Sequence, residues 1–153
     1  LEQVILNHEL EDSLIVIESA LNLRKVTEAD MEELLQGLPE KKTVRIRKFR
    51  AVAESGSETR VRLFFQRRNV KVEPQVEIPG VGRVDMVVGT RLIVECDGSA
   101  YHLSSTAIER DKRRDLAARS LGFDTVRLSY GQVWNDWDAT RGSLAAWVKL
   151  RKH

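Results

Sequence analysis

The stretch that decides the fold is residues 84–102, VDMVVGTRLIVECDGSAYH. Two runs of apolar, mostly β-branched residues flank a Gly-Thr pair, a pattern typical of two strands joined by a tight turn. Asp85 interrupts the first run, Glu95 and Asp97 end the second, and His102 follows five residues later. A buried carboxylate is destabilising unless it is paired, hydrogen-bonded or bound to a metal. The hairpin therefore predicts a polar site at its edge.

The segments around this hairpin predict an α/β domain. Residues 55–69 have helical apolar spacing, and residues 70–78 alternate apolar with polar side chains, as a strand with one solvated face does. Residues 106–122 predict a helix, residues 123–130 a strand and residues 137–152 a last helix. The order is α-β-β-β-α-β-α. Its strand-helix-strand crossover predicts a mixed sheet with helices on both faces.

Charge is distributed unevenly along the 153 residues. The formal net charge is +2, but residues 1–40 hold 2 Lys/Arg against 10 Asp/Glu, whereas residues 41–153 hold 23 against 13. The net positive charge of residues 41–153 is compatible with a nucleic-acid partner, because phosphate contacts need lysine and arginine. Most charged surfaces are only solvated, so charge alone does not decide the partner.

The acidic segment predicts an N-terminal helical extension. Residues 8–26 have apolar positions near helical spacing. In residues 27–39, Thr27 opens a capping signature that Gly and Pro close. We therefore predict a division into an acidic helical extension, residues 1–42, and the α/β domain, residues 43–153.

Composition limits the setting of the protein. With 42% apolar residues the chain can bury a core, and no run approaches the roughly 18 apolar residues of a membrane span, so we expect no membrane partner. The single cysteine excludes an intrachain disulfide and favours a reducing, cytoplasmic setting. The chain begins with Leu1 rather than Met, which is compatible with an N-terminal DNA-binding module or a protein partner outside this chain.

The acids at the hairpin edge indicate a metal site. Residues two apart on a strand share a face, so Glu95 and Asp97 point the same way, and Asp85 can lie beside Glu95 at the strand end. Converging carboxylates repel one another, and a hard divalent cation with oxygen ligands, Mg²⁺ in the first instance, removes that conflict. The alternative is that these acids pair with Arg83, Arg91 or helix arginines at the rim.

These elements and residues resemble the PD-(D/E)XK nuclease core, with Asp85 on the second strand and Glu95-x-Asp97 on the third. More narrowly, residues 83–102 and the ERDKRRDLAARSLGFDTVRLSYGQV of residues 109–133 are similar to bacterial domains related to the very-short-patch repair (Vsr) endonuclease. The resemblance implies a restriction-endonuclease-like fold and a Vsr-like endonuclease domain.

This resemblance covers about residues 55–136, within the domain predicted at 43–153. Upstream, the VIESALNLRKVTEADMEELLQGLP of residues 16–39 is similar to the end of an abortive-infection-type antitoxin module. Where present, that module begins with a winged helix-turn-helix, which this chain lacks.

The resemblance also implies a ligand set. Mg²⁺, with Mn²⁺ as a substitute, would be held by Asp85 and by Glu95 or the backbone carbonyl of Cys96. The wider family usually has lysine where this chain has Asp97. A carboxylate cannot steady an attacking hydroxide as lysine does. Either Asp97 joins the metal and His102 takes over the polar catalysis, or the site has lost activity.

Two further residues take their roles from the resemblance. Glu58 on the first helix matches a glutamate that reaches the metal through water, and His102 matches a histidine that assists the proton transfers of hydrolysis. Each has a simpler alternative. Ser55 and Glu58 have capping-box spacing, so Glu58 can serve only its helix, and His102 can make an ordinary hydrogen bond at a strand–helix junction.

The prediction is a metal-dependent DNA endonuclease, a phosphodiesterase without a small-molecule cofactor that nicks or cuts DNA. A basic helix would contact nucleic acid through Arg110, Lys112, Arg113 and Arg114, unless these form a solvated face. Two alternatives remain. One is a catalytically inactive nuclease-fold module that binds nucleic acid or regulates, and the other is a protein-interaction domain that uses the acidic helices.

Overall fold

The computed structural model describes residues 1–47, 49, 53–97 and 105–150. The helices are α1 (Glu2–Asn7), α2 (Leu10–Asn22), α3 (Glu28–Gln36), α4 (Glu40–Ile46), α5 (Gly56–Gln66), α6 (Ser105–Ser120), α7 (Tyr130–Trp134) and α8 (Trp137–Lys149). The strands are β1 (Val72–Ile78), β2 (Gly82–Val88), β3 (Leu92–Asp97) and β4 (Asp124–Ser129). No helix within the described ranges is long and apolar enough to cross a bilayer.

The chain forms two compact units, Leu1–Leu63 and Phe64–His153, so the division falls within α5. The sequence predicted a boundary near residue 42 from charge, whereas this division follows packing. The predicted domain boundary stays a prediction, because compactness and function are different criteria for a domain.

The first unit is the predicted helical extension continued into the start of α5. Its α3 begins with the expected cap: the Asp30 amide donates to Thr27 Oγ1 at 3.1 Å, and the Thr27 amide donates to Asp30 Oδ2 at 2.8 Å. One core cluster of this unit consists of six buried apolar residues from α1 to α4, and they are Ile5, Ile17, Leu21, Met31, Leu35 and Ile46. Helices α2 and α3 correspond to the two helices expected in this segment.

A buried ion pair joins α2 to α5 inside this unit. Glu18 is 0% exposed and Arg62 is 3% exposed. Arg62 Nη2 donates to both carboxylate oxygens of Glu18, at 2.5 and 2.6 Å, and Thr59 Oγ1 donates to Oε2 at 2.8 Å. Removing one partner of such a pair leaves an uncompensated buried charge. The first turns of α5 are therefore fixed to the helical extension by electrostatics as well as by packing.

The second unit contains the sheet, in the order β1-β2-β3-β4. Strands β1, β2 and β3 are antiparallel neighbours, whereas β3 and β4 are parallel. Parallel neighbours need a crossover, and α6 provides it. The predicted α-β-β-β-α-β-α order and mixed sheet are confirmed. The short α7, capped by Ser129 and Gln132, was not predicted.

Helices flank both faces of the sheet in this unit. On one face Ala118 of α6 belongs to an apolar cluster with Val84 and Ile93. On the other face, Val126 of β4 and Leu144 of α8 line a common cleft with further residues of these two elements. The sheet is thus the middle layer between helices. Its faces are covered by apolar side chains, so polar side chains are expected at the strand ends.

The buried ion pair gives a test of stability. We expect Glu18→Ala to lower the free energy of unfolding by about 3–5 kcal/mol, because Arg62 is left charged and buried. Urea denaturation followed by circular dichroism measures this. The matched control is Glu32→Ala, which breaks the exposed 3.0 Å pair with Arg47. That pair is worth no more than about 1 kcal/mol.

The double variant Glu18→Leu with Arg62→Met completes the test, because apolar replacement of both buried partners is often neutral or stabilising. It should recover most of the stability that Glu18→Ala loses. Equal losses for Glu18→Ala and Glu32→Ala would show that burial gives this pair no special weight.

Candidate active site

The site lies where β2 and β3 stop pairing. Within the described residues, the last β2–β3 pair is Met86 with Val94, but β3 continues to Asp97 beside β4. Asp85, the next residue of β2, turns its carboxylate to β3, and Oδ2 accepts a hydrogen bond from the Cys96 amide at 2.7 Å. A side chain therefore accepts a hydrogen bond from a β3 amide two residues beyond Val94, the last described partner of β2.

The strands around Asp85 are irregular. On β1, Gln75 lies between Pro74, which pairs with Met86, and Val76, which pairs with Val84, and it has φ 52°. On β2, Val84 and Val87 are three residues apart, yet both belong to the cluster that contains Ala118 of α6. Strict alternation would put them on opposite faces. The alternation of β2 is therefore interrupted between Val84 and Val87, the stretch that contains Asp85.

Glu95 is held by two arginines. Its Oε1 accepts from Arg114 Nη2 of α6 at 2.8 Å, and its Oε2 accepts from Arg127 Nε of β4 at 3.0 Å. The Glu95 side chain is only 13% exposed. For Glu95, the structure thus shows pairing with arginines, the alternative to a metal that the sequence leaves open. Its role as a metal ligand stays a prediction.

Arg127 is a residue of the site that the sequence did not predict. It is the register partner of Glu95 in the parallel β3–β4 pair, and the signal was present in the alternation of β4. Thr125 and Arg127 share one face, with Val126 and Leu128 on the other. An arginine on the polar face of a strand next to Glu95 is a natural partner, but only once the parallel pairing is known.

Arg127 also connects Glu95 to α6. Its Nη1 and Nη2 donate to Asp115 Oδ2 and Oδ1 at 2.9 and 2.6 Å. These hydrogen bonds lower the pKa of Asp115 below its ordinary value, an effect opposed by burial and assisted by the charges of Arg127, Arg114 and Arg119. The same bonds to Asp115 are the first cause of a raised pKa for Arg127. Both groups therefore stay charged at neutral pH.

Arg114 makes inward contacts. Besides Glu95, it donates from Nε to the Val81 carbonyl at 3.1 Å and from Nη2 to the Arg83 carbonyl at 2.9 Å. The other three members of the predicted nucleic-acid set, Arg110, Lys112 and Arg113, are exposed on α6. The helix thus has an outward basic side and one arginine turned to the sheet.

The remaining predicted site residues are Asp97, His102 and Glu58. Asp97 is exposed at the end of β3. His102 lies outside the described residues. Glu58 belongs to the first unit, where Oε2 accepts from the Glu54 amide at 3.0 Å and Oε1 from the Ser55 hydroxyl at 2.9 Å. The Glu58 amide donates in turn to Ser55 Oγ at 3.2 Å, so Ser55 caps the helix and the Glu58 carboxylate binds the residues just before it.

The donor atoms near the end of β3 are oxygens, the type that a hard cation prefers. Among the described residues, no three His, Cys, Asp or Glu side chains form a group that could hold a metal. The Asp85 carboxylate, the Cys96 carbonyl and the Asp97 carboxylate are oxygen donors of the type Mg²⁺ prefers. Asp85 and Cys96 are joined by a hydrogen bond, and Asp97 is the next residue of β3. Mg²⁺ commonly keeps several waters, so a few such donors suffice.

Comparison with known proteins identifies the class. The family REase_MTES_1575, a restriction-endonuclease-like family, matches residues 58–148, more than half of the chain. The chain belongs to this family and contains a restriction-endonuclease-like nuclease domain. No curated protein and no solved structure matches the chain significantly.

The charge pair on α6 and β4 gives a pH test. We expect the Asp115 carboxyl to titrate below its ordinary value in the parent protein and at a higher pH in Arg127→Met, as carbon-detected NMR can follow. A lowered folded-state pKa contributes stability that is present above the unfolded-state value of about 3.9 and lost as pH falls through the folded-state value. The stability lost in Arg127→Met should therefore shrink in acid.

The control is Arg141→Met on α8, whose partner Asp138 is 88% exposed. It should leave the Asp115 titration unchanged. An Asp115 that titrates at the same pH in the parent and in Arg127→Met would mean that the guanidinium does not set its pKa.

Proposed function

We propose that the chain is a metal-dependent DNA endonuclease that hydrolyses phosphodiester bonds by nicking or cutting DNA. The observation that carries the proposal is the Asp85 carboxylate set against the Cys96 amide at the end of β3, within a restriction-endonuclease-like domain. The proposed cofactor is Mg²⁺, with Mn²⁺ as a substitute. When bound, it would polarise the scissile phosphate and lower the pKa of a water molecule.

The residues of the chain take distinct roles in this proposal. Asp85 is the central ligand. The Cys96 carbonyl is favoured over Glu95 as its companion, because both Glu95 oxygens already accept from arginines. Asp97 adds a second carboxylate, and His102 passes the proton, in place of the lysine of the wider family. A water-mediated contribution from Glu58 belongs to the proposal as well, beside its hydrogen bonds to Glu54 and Ser55.

DNA would be held by its backbone. Arg110, Lys112 and Arg113 are exposed on α6, and phosphate contacts of this kind give affinity without reading sequence. The narrower relation to Vsr-related domains, the antitoxin-like character of residues 16–39 and a cytoplasmic location are further parts of the proposal. They are supported by the sequence motifs and composition described above.

One observation favours a second candidate, a nuclease fold that binds nucleic acid without cutting. Glu95 is neutralised by two arginines, and Asp97 replaces the usual lysine, so an active site of the wider type would be short of two groups. The two candidates share their DNA contacts and differ in catalysis. Cleavage, more than binding, therefore separates them.

Incubation with supercoiled plasmid tests the activity. The parent protein should convert plasmid to nicked or linear DNA with millimolar Mg²⁺ or Mn²⁺ and not with chelator. Asp85→Asn should abolish cutting and the rise in melting temperature that metal gives by binding the folded state. The Asn oxygen can still accept from the Cys96 amide, so the fold should persist. Asp138→Asn, an exposed acid of α8, is the control.

A parent protein that cuts no DNA with either metal, yet binds DNA with a steep salt dependence, would favour the binding module. Failure to bind DNA as well would favour the protein-interaction alternative, in which the acidic helices form the interface.

The roles of Asp97 and His102 can be separated kinetically. Asp97→Ala should weaken apparent metal affinity, so that raised Mn²⁺ partly restores cutting. His102→Ala should leave metal affinity unchanged and lower the rate about 10²–10⁴-fold, as loss of a general acid or base does. Added metal should not restore that rate. Products should carry 5′-phosphate. If neither variant matters while Asp85→Asn abolishes cutting, the site is right and these two roles are wrong.

A further inference from the structure

Arg114 connects the two strands that carry the candidate site. From α6 its Nε donates to the Val81 carbonyl at 3.1 Å, and its Nη2 donates to the Arg83 carbonyl at 2.9 Å and to Glu95 Oε1 at 2.8 Å. Val81 immediately precedes β2, Arg83 lies within it, and Glu95 is on β3. One guanidinium therefore spans the beginning of β2 and the end of β3.

Arg127 completes this connection from the other side. It joins Glu95 Oε2 to Asp115 of α6, so that Glu95, Arg114, Arg127 and Asp115 form a network of two acids and two bases. We call these four residues the charge clamp. Their formal charges cancel, which a partly buried group of ions requires. The side chains of Glu95, Arg114 and Arg127 are 13%, 29% and 31% exposed.

The charge clamp adjoins both halves of the candidate site. Arg83 is two residues before Asp85, and Glu95 immediately precedes Cys96, whose amide donates to Asp85. The last β2–β3 pair, Met86 with Val94, lies before this point. Beyond it, the ladder cannot set the distance between the strands, whereas the charge clamp can.

We propose that Arg114 and Arg127, acting on Glu95, are positioning residues that hold the end of β3 beside Asp85, and that Glu95 is not a metal ligand. This inference rests on the proposed function where it concerns metal and catalysis. Arginine suits the task because its planar fork donates in several fixed directions at once, which a lysine ammonium does not do.

The first measurement is amide hydrogen exchange at Cys96, which needs no activity. Arg114→Lys and Glu95→Gln should each lower the protection of the Cys96 amide by about tenfold or more, because local opening at the strand end becomes easier. Protection at Ile93, inside the ladder, should change little. Arg141→Lys, on α8 and outside the clamp, is the matched control and should change neither amide.

The second measurement separates positioning from ligation. By titration calorimetry, Glu95→Gln should bind Mn²⁺ within about threefold of the parent, whereas Asp85→Asn should lose binding. In cleavage assays Glu95→Gln should lower kcat about 10²-fold with little change in KM, since a small misplacement of reacting groups has that effect. Raised Mn²⁺ should not restore the rate.

The outcomes distinguish the two proposals. If Glu95→Gln loses Mn²⁺ as fully as Asp85→Asn, Glu95 is a ligand and the positioning proposal is wrong. If the parent neither binds Mn²⁺ nor cuts DNA, the proposed function fails, and exchange at Cys96 still decides the role of the clamp. Unchanged protection of Cys96 in both Arg114→Lys and Glu95→Gln overturns it.

Discussion

The carboxylate of Asp85 accepts a hydrogen bond from a β3 amide, as the backbone carbonyl of a neighbouring strand ordinarily does. Much of the second unit follows from this replacement of a backbone acceptor by a side chain. A side chain can reach the Cys96 amide only where β2 has left the ladder, so the two strands must separate at this point. β3 nevertheless stays extended to Asp97, because its other edge pairs with β4. The parallel neighbour, and hence the crossover helix α6, is what allows a strand end to carry polar chemistry.

The sequence predicted the local structure well and the long-range contacts poorly. The hairpin, the cap at Thr27 and the turn at Gly122, which has φ +86°, follow from nearest neighbours along the chain. The partners of Glu95 do not, because Arg114 and Arg127 come from elements 19 and 32 residues away. Only the register of a parallel pair, which no local pattern specifies, brings Arg127 opposite Glu95.

The structure changes the interpretation of the excess of lysine and arginine in residues 41–153. This excess suggested a surface for phosphate, but several arginines are engaged internally. Arg62 is buried against Glu18, Arg114 turns to β2 and β3, and Arg127 pairs with two acids. Net charge counts all of these equally. The basic surface available for the proposed DNA contacts is therefore smaller than the sequence total implies, and α6 contributes only part of its arginines to it.

The buried pair of Glu18 and Arg62 has a consequence for inheritance. Residues 58–148 match a family, and Glu18 lies outside that match, whereas Arg62 lies inside it. A recombination event that exchanged the upstream helices alone would leave the buried Arg62 cation without Glu18. The extension and the start of the family domain must then be inherited together, or both positions must change at once. Covariation between positions 18 and 62 among descendants of this chain is the expected trace of that dependence.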